Sequence, residues 1–365
     1  MTHEISPGEA PPGRPEEITV FLLDGKPVSV GDIVDAAVFR GALQPAWLDL
    51  LRKRHREKIA VESHLDTDEE KVQAMADQFR YENDLISAEE TEAWFDARGL
   101  TMEDFDSYIT RRFRDEQMAE HDAPDPVNFA FASSEERELL RVEAMISGQF
   151  ERVASGLGWR MAASHGAGND ERDSADAVEL ERNRFSERTG IAPSAIGEWL
   201  AALGRDAAWF EEQLRMEAIY RAHCERVLTP EKRSRMLSSL RLPLTFLEVE
   251  TVEFDQAAAV NEAYLCVHED GLSLEELAKM GRYPYTRKEF LVEDLSEYWQ
   301  RRFLAASEGA ALEPQAEDGV FQLCRLLRKQ EPRIEDSPVE QRIDRRILES
   351  HFAELSGQCV RWVLR

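Results

Sequence analysis

The side chains of this chain that could do chemistry are plentiful, but their spacing matches no catalytic pattern. The histidines beyond the N-terminal tail are His55, His64, His121, His165, His223, His268 and His351. No two of them have the His-x-x-x-His spacing of a metal-binding helix, and their charged or flexible surroundings favour surface positions. Nucleophile-elbow, P-loop and dinucleotide-binding motifs are absent from the sequence. Because the chain has 72 Asp and Glu residues, carboxylate pairs are uninformative, and the sequence predicts no metal site, no cofactor and no catalytic residue.

Aromatic side chains could instead hold another chain, since aromatic anchors often dominate the binding energy of a docked segment. Trp94 and Phe105 recur as Trp199 and Phe210 at a constant offset of 105 residues. Packing in the core is the favoured interpretation of these four rings. The alternative is that they line a shared groove for the apolar side chains of an extended peptide.

Two copies of one helical pattern must position these rings. Upstream of the tryptophans, Phe79 matches Phe185 at an offset of 106 residues, and Gly99 matches Gly204 at 105. Ser87 and Glu90 can form a capping box. Thr101 is expected to cap the next helix, whose predicted apolar face is Met102, Phe105, Ile109 and Phe113. The two glycines suit helix C-termini. A duplicated helical module indicates a built surface more than a single reaction pocket.

The charge of the chain limits its partners. A formal net charge of −27 over 365 residues repels nucleic acid and anionic membranes and can attract basic partners. No apolar run approaches the ~20 residues of a membrane span, and the polar, proline-rich start lacks a signal-peptide pattern. We therefore expect a cytoplasmic protein without nucleic-acid binding or membrane insertion. Cys224, Cys266, Cys324 and Cys359 are expected to be small core residues, not disulfides or ligands.

The predicted fold class is α+β, mostly α. We expect a disordered tail over 1–17, a hairpin and first helical unit over 18–128, and a second helical unit over 129–240. A small antiparallel-sheet domain follows over 241–333, then a C-terminal helix over 334–365. Asp24-Gly25 predicts the turn of the hairpin, and 122–126 and 164–174 are predicted to be a linker and a flexible loop. The strands of the sheet domain are predicted at 244–254 and 319–327, with an amphipathic helix from Lys288 to Ser307.

In this order, the layout resembles the SurA/PrsA type of parvulin-like proteins, in which a helical peptide-binding region accompanies a parvulin domain. Leu23-Asp-Gly-Lys-Pro-Val-Ser29 is similar to the hairpin that opens such chains. Phe79-Arg80, Trp94-Phe95, Gly99-Leu100 and Phe105 are similar to the helical segment of members encoded with peptide-maturation and export systems. Residues 244–330 resemble the parvulin order of strand, helix, short helix, amphipathic helix and strand. Its motifs are matched by Leu274-Glu-Glu-Leu-Ala278 and Gly319-Val-Phe-Gln-Leu323.

The sequence departs from this family where active members carry histidines on the first and last strands. No histidine lies between Arg241 and Val267, and Phe321 follows Gly319-Val320. The loop from Met280 to Tyr285 is also shortened. An isomerase must help a prolyl bond over a barrier of ~18–20 kcal/mol, and the polar groups that hold that geometry are not recognisable here. The resemblance thus implies a degenerate parvulin-like domain over 241–333.

The favoured hypothesis is a peptide-binding chaperone or adaptor that assists maturation or export of a ribosomally made peptide. Its expected partners are an extended or precursor peptide and, in addition, a peptide-modifying enzyme or exporter. The alternatives are a working prolyl isomerase with a variant core and a scaffold of a peptide-modifying enzyme complex. The predicted peptide-binding residues are Tyr283, Tyr285, Phe321, Trp94, Trp199, Phe105 and Phe210.

Overall fold

The structure is a computed structural model that describes residues 14–65, 67–118, 130, 132–166, 174–317 and 319–364. It divides into two compact units, one formed by residues 1–224 and 351–365 and the other by residues 225–350. The predicted tail is described only from Arg14, where Pro15–Glu17 form a 3-10 turn. The predicted linker at 122–126 and most of the predicted loop at 164–174 lie outside the described residues.

Helices dominate the chain before residue 230. They are α1 (Val30–Arg40), α2 (Gln44–Glu62), α3 (Glu69–Glu82), α4 (Ala88–Arg98), α5 (Met102–Gln117), α6 (Ser134–Ile146), α7 (Gln149–His165), α8 (Ala175–Thr189), α9 (Ile196–Leu203) and α10 (Ala207–Val227). The capping box of Ser87 and Glu90 is present, and the Thr101 side chain accepts from the Asp104 backbone N–H. No described helix is both long enough and apolar enough to cross a membrane.

The residues that match between the two helical patterns form corresponding ring clusters. Phe79 packs against Trp94 and Phe105, with ring centroids 5.8 and 5.1 Å away. Phe185 packs against Trp199 and Phe210, with both ring centroids 5.1 Å away. Gly99 and Gly204 end α4 and α9 in the left-handed conformation, where glycine is tolerated best. The prediction for Met102 is wrong: as the first residue of α5 it is exposed, whereas Phe105, Ile109 and Phe113 are buried.

The N-terminal hairpin is part of a three-stranded sheet. Strands β1 (Thr19–Leu23) and β2 (Lys26–Ser29) form the predicted antiparallel pair. The third strand, β7 (Val360–Trp362), comes from the end of the chain and pairs with β1, so the strand order is β2-β1-β7. The predicted C-terminal helix over 334–365 is therefore too long. The helix of this region, α15 (Ser337–Ser356), stops before β7, because the residues after it pair with β1 instead of continuing the helix.

The second unit contains a four-stranded antiparallel sheet. Its elements are α11 (Pro230–Ser239), β3 (Phe246–Phe254), α12 (Ala257–Glu269), α13 (Leu274–Gly281), β4 (Tyr285–Leu291), α14 (Glu297–Ala305), β5 (Gln315–Glu317) and β6 (Val320–Gln330). The strand order is β4-β3-β6-β5. The predicted helix from Lys288 is wrong in its first part, since residues 285–291 pair with β3 along seven positions. Sheet pairing overrides the helical spacing of the apolar residues there, and α14 begins only at Glu297.

Alternation along β3 gives its sheet two apolar faces. Val252 and Phe254 point to one face, where they pack with Val260, Leu274 and Leu277 of α12 and α13. Leu247 and Val249 point to the other face, where they pack with Phe303 of α14. The sheet is therefore covered by helices on both sides, and a site on it must use the part of a face that those helices leave open.

Candidate functional site

The predicted aromatic residues of the helical region are mostly buried. Phe105, Trp199 and Phe210 are 3%, 6% and 2% exposed, and the Trp199 Nε1–H donates to the carbonyl oxygen of Ala130 at 3.1 Å. Trp94 is partly buried, and the Arg98 guanidinium lies 4.2 Å from its ring centre. The three buried rings therefore pack within the protein, as the core interpretation expects, and offer no surface to a peptide in this conformation.

The predicted residues of the second unit lie together on the face of the sheet that carries α12 and α13. Tyr283 packs on Phe254 with ring centroids 4.4 Å apart, and Phe321 is the register partner of Phe254 on β6. Tyr285 lies opposite Val252. Tyr283, Tyr285 and Phe321 are each only partly buried, so they form an aromatic patch at the edge of this apolar cluster.

The end of α13 explains the position of Tyr283. A Cβ added to Gly281 would lie 2.0 Å from Cε2 of Tyr283, so the ring uses the space that the glycine leaves. Arg282 follows in the left-handed conformation, with φ of 58°, and the Tyr283 N–H donates to the carbonyl of Ala278 at 3.0 Å. This tight helix end turns the chain directly into β4.

Tyr285 is held by a buried carboxylate. Its hydroxyl donates to Oε1 of Glu250 at 2.8 Å, and Glu250 is 8% exposed. Burial, followed by the hydrogen bond to Glu250, raises the pKa of Tyr285 to about 12, because a phenolate would face a carboxylate. Next to this pair, Arg287 donates to Glu248 at 2.8 Å. The charged groups of the patch are therefore already paired, and the patch offers aromatic surface more than reactive groups.

The strands of this sheet contain no histidine. On the face toward α14, the Thr251 hydroxyl and the Cys324 sulfur lie 3.5 Å apart. His268 lies on α12, stacked on Tyr264 at 5.6 Å between ring centroids. The paired positions of the first and last strands therefore contain no histidine.

A cavity of about 340 Å³ in the first unit has a strongly charged lining. Arg205 closes one side, donating to Asp35 at 2.7 Å and to Asp32 at 2.9 Å. Arg141 is bonded to Glu138 and to the carbonyl of Gly99. Because these charges pair with one another, the cavity lining acts as an internal link between helices.

An apolar groove in the first unit has a different lining. It has a volume of about 440 Å³ and is lined by Val20, Phe150, Glu151, Ala154, Ser155, Trp362 and Leu364. These residues come from β1, α7 and the C-terminal strand segment. Trp362 is fixed by an edge contact with Phe21, with ring centroids 5.1 Å apart.

Strand β7 borders this groove and is the edge of its sheet among the described strands. The carbonyl of Cys359 accepts from the Asp24 N–H at 3.1 Å, and the Val363 N–H donates to Val20 at 2.9 Å. In an antiparallel pair alternate residues bond to the partner strand, so the backbone groups of Val360 and Trp362 point to the opposite edge. A further strand could add there.

One carboxylate belongs to the groove. Oε1 of Glu151 lies 3.8 Å from Arg98. Its Oε2 has no hydrogen-bond partner in the part of the chain that the structure describes. The groove thus combines apolar walls, a strand edge and one carboxylate that is incompletely paired.

This groove was not predicted from the sequence. Its signal in the sequence is Val360-Arg-Trp-Val-Leu364, a short segment rich in β-branched and aromatic residues, which is typical of a strand. The partner strand of this segment lies more than 330 residues away, which periodicity cannot reveal.

No protein-family model matches this chain, and no curated protein matches it. Solved structures that are similar to it include foldases and SurA-like chaperones. The peptidylprolyl isomerase PrsA of Bacillus cereus is 10% identical, with 62% of this chain and 88% of that chain covered and a TM-score of 0.35. PrsA of Bacillus anthracis is 14% identical, with 58% and 94% covered and a TM-score of 0.29. A SurA-like chaperone structure of Campylobacter jejuni is 8% identical, with 60% and 88% covered and a TM-score of 0.21.

These proteins belong to the family that the sequence resembles. At such identities and TM-scores, the similarity assigns no activity, ligand or site to this chain.

Proposed function

We propose that this protein is a chaperone-type peptide holder that binds an extended segment in the groove beside β7. The observation that carries the proposal is an apolar groove of about 440 Å³ next to the edge of a three-stranded sheet. An extended peptide added to a sheet edge gains backbone hydrogen bonds, and its alternate side chains can enter pockets. The groove and the edge offer these two kinds of contact side by side.

The preferred segment has apolar residues at alternate positions and basic residues between them. Trp362 and Leu364 are partly exposed in the groove and favour apolar side chains, whereas Glu151 favours a cation. The net charge of −27 acts in the same direction, since it attracts basic chains at long range. The aromatic patch of Tyr283, Tyr285 and Phe321 is proposed as a separate peptide-binding surface of the second unit.

Holding is favoured over prolyl isomerisation because the sheet of the second unit has no histidine. A finer proposal is that the client is a ribosomally made precursor peptide, delivered to a modifying enzyme or an exporter. The resemblance of the helical segment to members encoded with such systems supports it.

Binding of a fluorescently labelled peptide of about ten residues, with apolar residues alternating with lysine and threonine, tests the proposal. Anisotropy is expected to rise saturably, and Leu364→Asp is expected to weaken binding at least tenfold by placing a charge in the apolar groove. Glu151→Gln should weaken binding of the lysine peptide but not of its serine-substituted analogue. Glu135→Gln removes the same charge from an exposed position outside the groove and is the matched control.

Backbone N-methylation of alternate peptide residues distinguishes strand addition from nonspecific apolar binding. The methylated peptide should lose binding, because it cannot donate to the edge of β7. Equal binding of both peptides, or no binding at high micromolar concentration, would overturn the proposal.

A further inference from the structure

Arg40, at the end of α1, is a buried arginine whose charge is poorly balanced. Its side chain is 5% exposed, and its Nη1 and Nη2 atoms have no hydrogen-bond partner among the described residues. The nearest carboxylate, that of Glu217, lies 4.0 Å from Nε. Burial, followed by repulsion from Arg160, lowers the pKa of Arg40 to about 9.

Glu217 is shared with a second arginine that holds it more closely. Arg160 Nε donates to Glu217 Oε1 at 2.6 Å. Arg188 also faces this cluster, with its Nη2 donating to the carbonyl of Phe39 at 2.9 Å. The carboxylate of Glu217, on α10, thus attracts three guanidinium groups from α1, α7 and α8. A second acid, Glu181, also attracts Arg188, but it is bonded by Arg184 and Arg221.

Another buried arginine in the same unit shows the ordinary arrangement. Arg111 is also nearly buried, but its two Nη atoms face Glu143 at 3.4 Å and Glu57 at 4.0 Å. A buried guanidinium is tolerated when carboxylates offset the cost of removing it from water. Arg111 has two carboxylates within 4.0 Å, which Lys53 and Arg114 also bind. Arg40 has one carboxylate at 4.0 Å, which Arg160 binds more closely.

We infer that Arg40, Arg160 and Arg188 form a binding site for one small inorganic anion of halide size, which pairs with the Nη atoms of Arg40. The site is distinct from the groove beside β7. Arg160 and Glu217 keep 19% and 11% of their side-chain exposure, so solvent reaches the cluster on their side. We expect a small ion to enter past these two side chains.

The first test compares thermal unfolding of the full chain in sodium chloride, sodium bromide and sodium gluconate at equal ionic strength. Chloride and bromide should raise Tm saturably by several degrees relative to gluconate, because an ion that binds only the folded state stabilises it. Arg40→Met should lose this anion-specific rise. Arg111→Met, the matched control, should lower Tm but keep the rise. An equal response to all three salts, or an unchanged rise in Arg40→Met, would overturn the inference.

Glu217→Gln keeps the inference testable if Arg40→Met does not fold. Removing the competing carboxylate should lower the half-saturating chloride concentration several-fold. An unchanged or higher concentration contradicts the inference.

Crystals grown in bromide should show an anomalous peak within hydrogen-bonding distance of the Arg40 Nη atoms. Bromide confined to the surface, or Glu217 rotated onto Arg40 without an ion, would overturn it.

Discussion

Trp199 and Trp94 occupy matching positions in the two helical copies, but among the described residues only Trp199 is fixed by a hydrogen bond to another segment. The Trp199 Nε1–H donates to the carbonyl of Ala130 at 3.1 Å. Trp94 instead lies against the guanidinium of Arg98, with 4.2 Å from the guanidinium carbon to the ring centre. Equivalent residues of a repeat thus have different environments.

The two tryptophans should therefore differ in their contribution to stability. Trp199→Ala is expected to cost about 3–5 kcal/mol of unfolding free energy, since it leaves a cavity beside Phe185 and removes the hydrogen bond to Ala130. Trp94→Ala should cost about 1–2 kcal/mol, because its ring is partly exposed. Urea unfolding followed by circular dichroism measures both values. Equal losses would show that the two environments are energetically the same.

The glycines that end α4 and α9 provide a second matched pair. Both have positive φ, 60° at Gly99 and 69° at Gly204, so alanine is strained at each by about 1 kcal/mol. A Cβ at Gly99 would also lie 2.7 Å from Cδ1 of Ile18 and 3.2 Å from Cβ of Pro15, whereas the space at Gly204 is open. We expect Gly99→Ala to lose about 1 kcal/mol more than Gly204→Ala in urea unfolding. A larger loss at Gly204 would contradict this packing.

The hydrogen bond from Tyr285 to Glu250 should be detectable as a raised pKa of the Tyr285 phenol. Its phenol is expected to ionise near pH 12, whereas an ordinary tyrosine ionises near pH 10. The folded-state pKa is raised, so this contribution to stability is complete below pH 10 and is lost as pH rises toward 12. The difference in phenolate absorbance between the wild type and Tyr285→Phe isolates this group. In the Glu250→Gln background, the phenolate absorbance of Tyr285 should appear at lower pH. An unchanged midpoint would argue against the Glu250 carboxylate as a cause of the raised pKa.

The stability of the folded protein should depend on the ionisation of Asp32 at acid pH. Burial tends to raise its pKa, but the Ser29 backbone N–H and Arg205 outweigh burial and hold the pKa below its usual value. A depressed pKa gives stability that is present above about pH 4 and is lost as pH falls further. Asp32→Asn should therefore unfold more easily than the wild type at pH 7, and the two should converge in acid. If the two proteins still differ in stability at pH 2.5, the effect of the substitution is due to packing and not to the charge of Asp32.

The elements that depend on neighbouring residues were predictable from the sequence. The Asp24-Gly25 turn, the Ser87 capping box and the Gly99 helix end each arise from contacts within a few residues. The residues of β4 were not predicted as a strand, because their apolar spacing also fits a helix and only pairing with β3 decides between the two. The residues of the aromatic patch were predicted from the resemblance to the family, and the sheet brings them together although β3 lies between β4 and β6.

By itself, the sequence determined the acidic charge, the matching helical patterns and the lack of histidines on the sheet, because these follow from residue type and spacing. The tertiary structure alone decided that the chain's last strand pairs with its first and creates the groove beside β7. It also decided that Arg40, Arg160 and Arg188 meet around one glutamate. Both outcomes join residues far apart in the chain, and no local pattern records which distant segments will pack together.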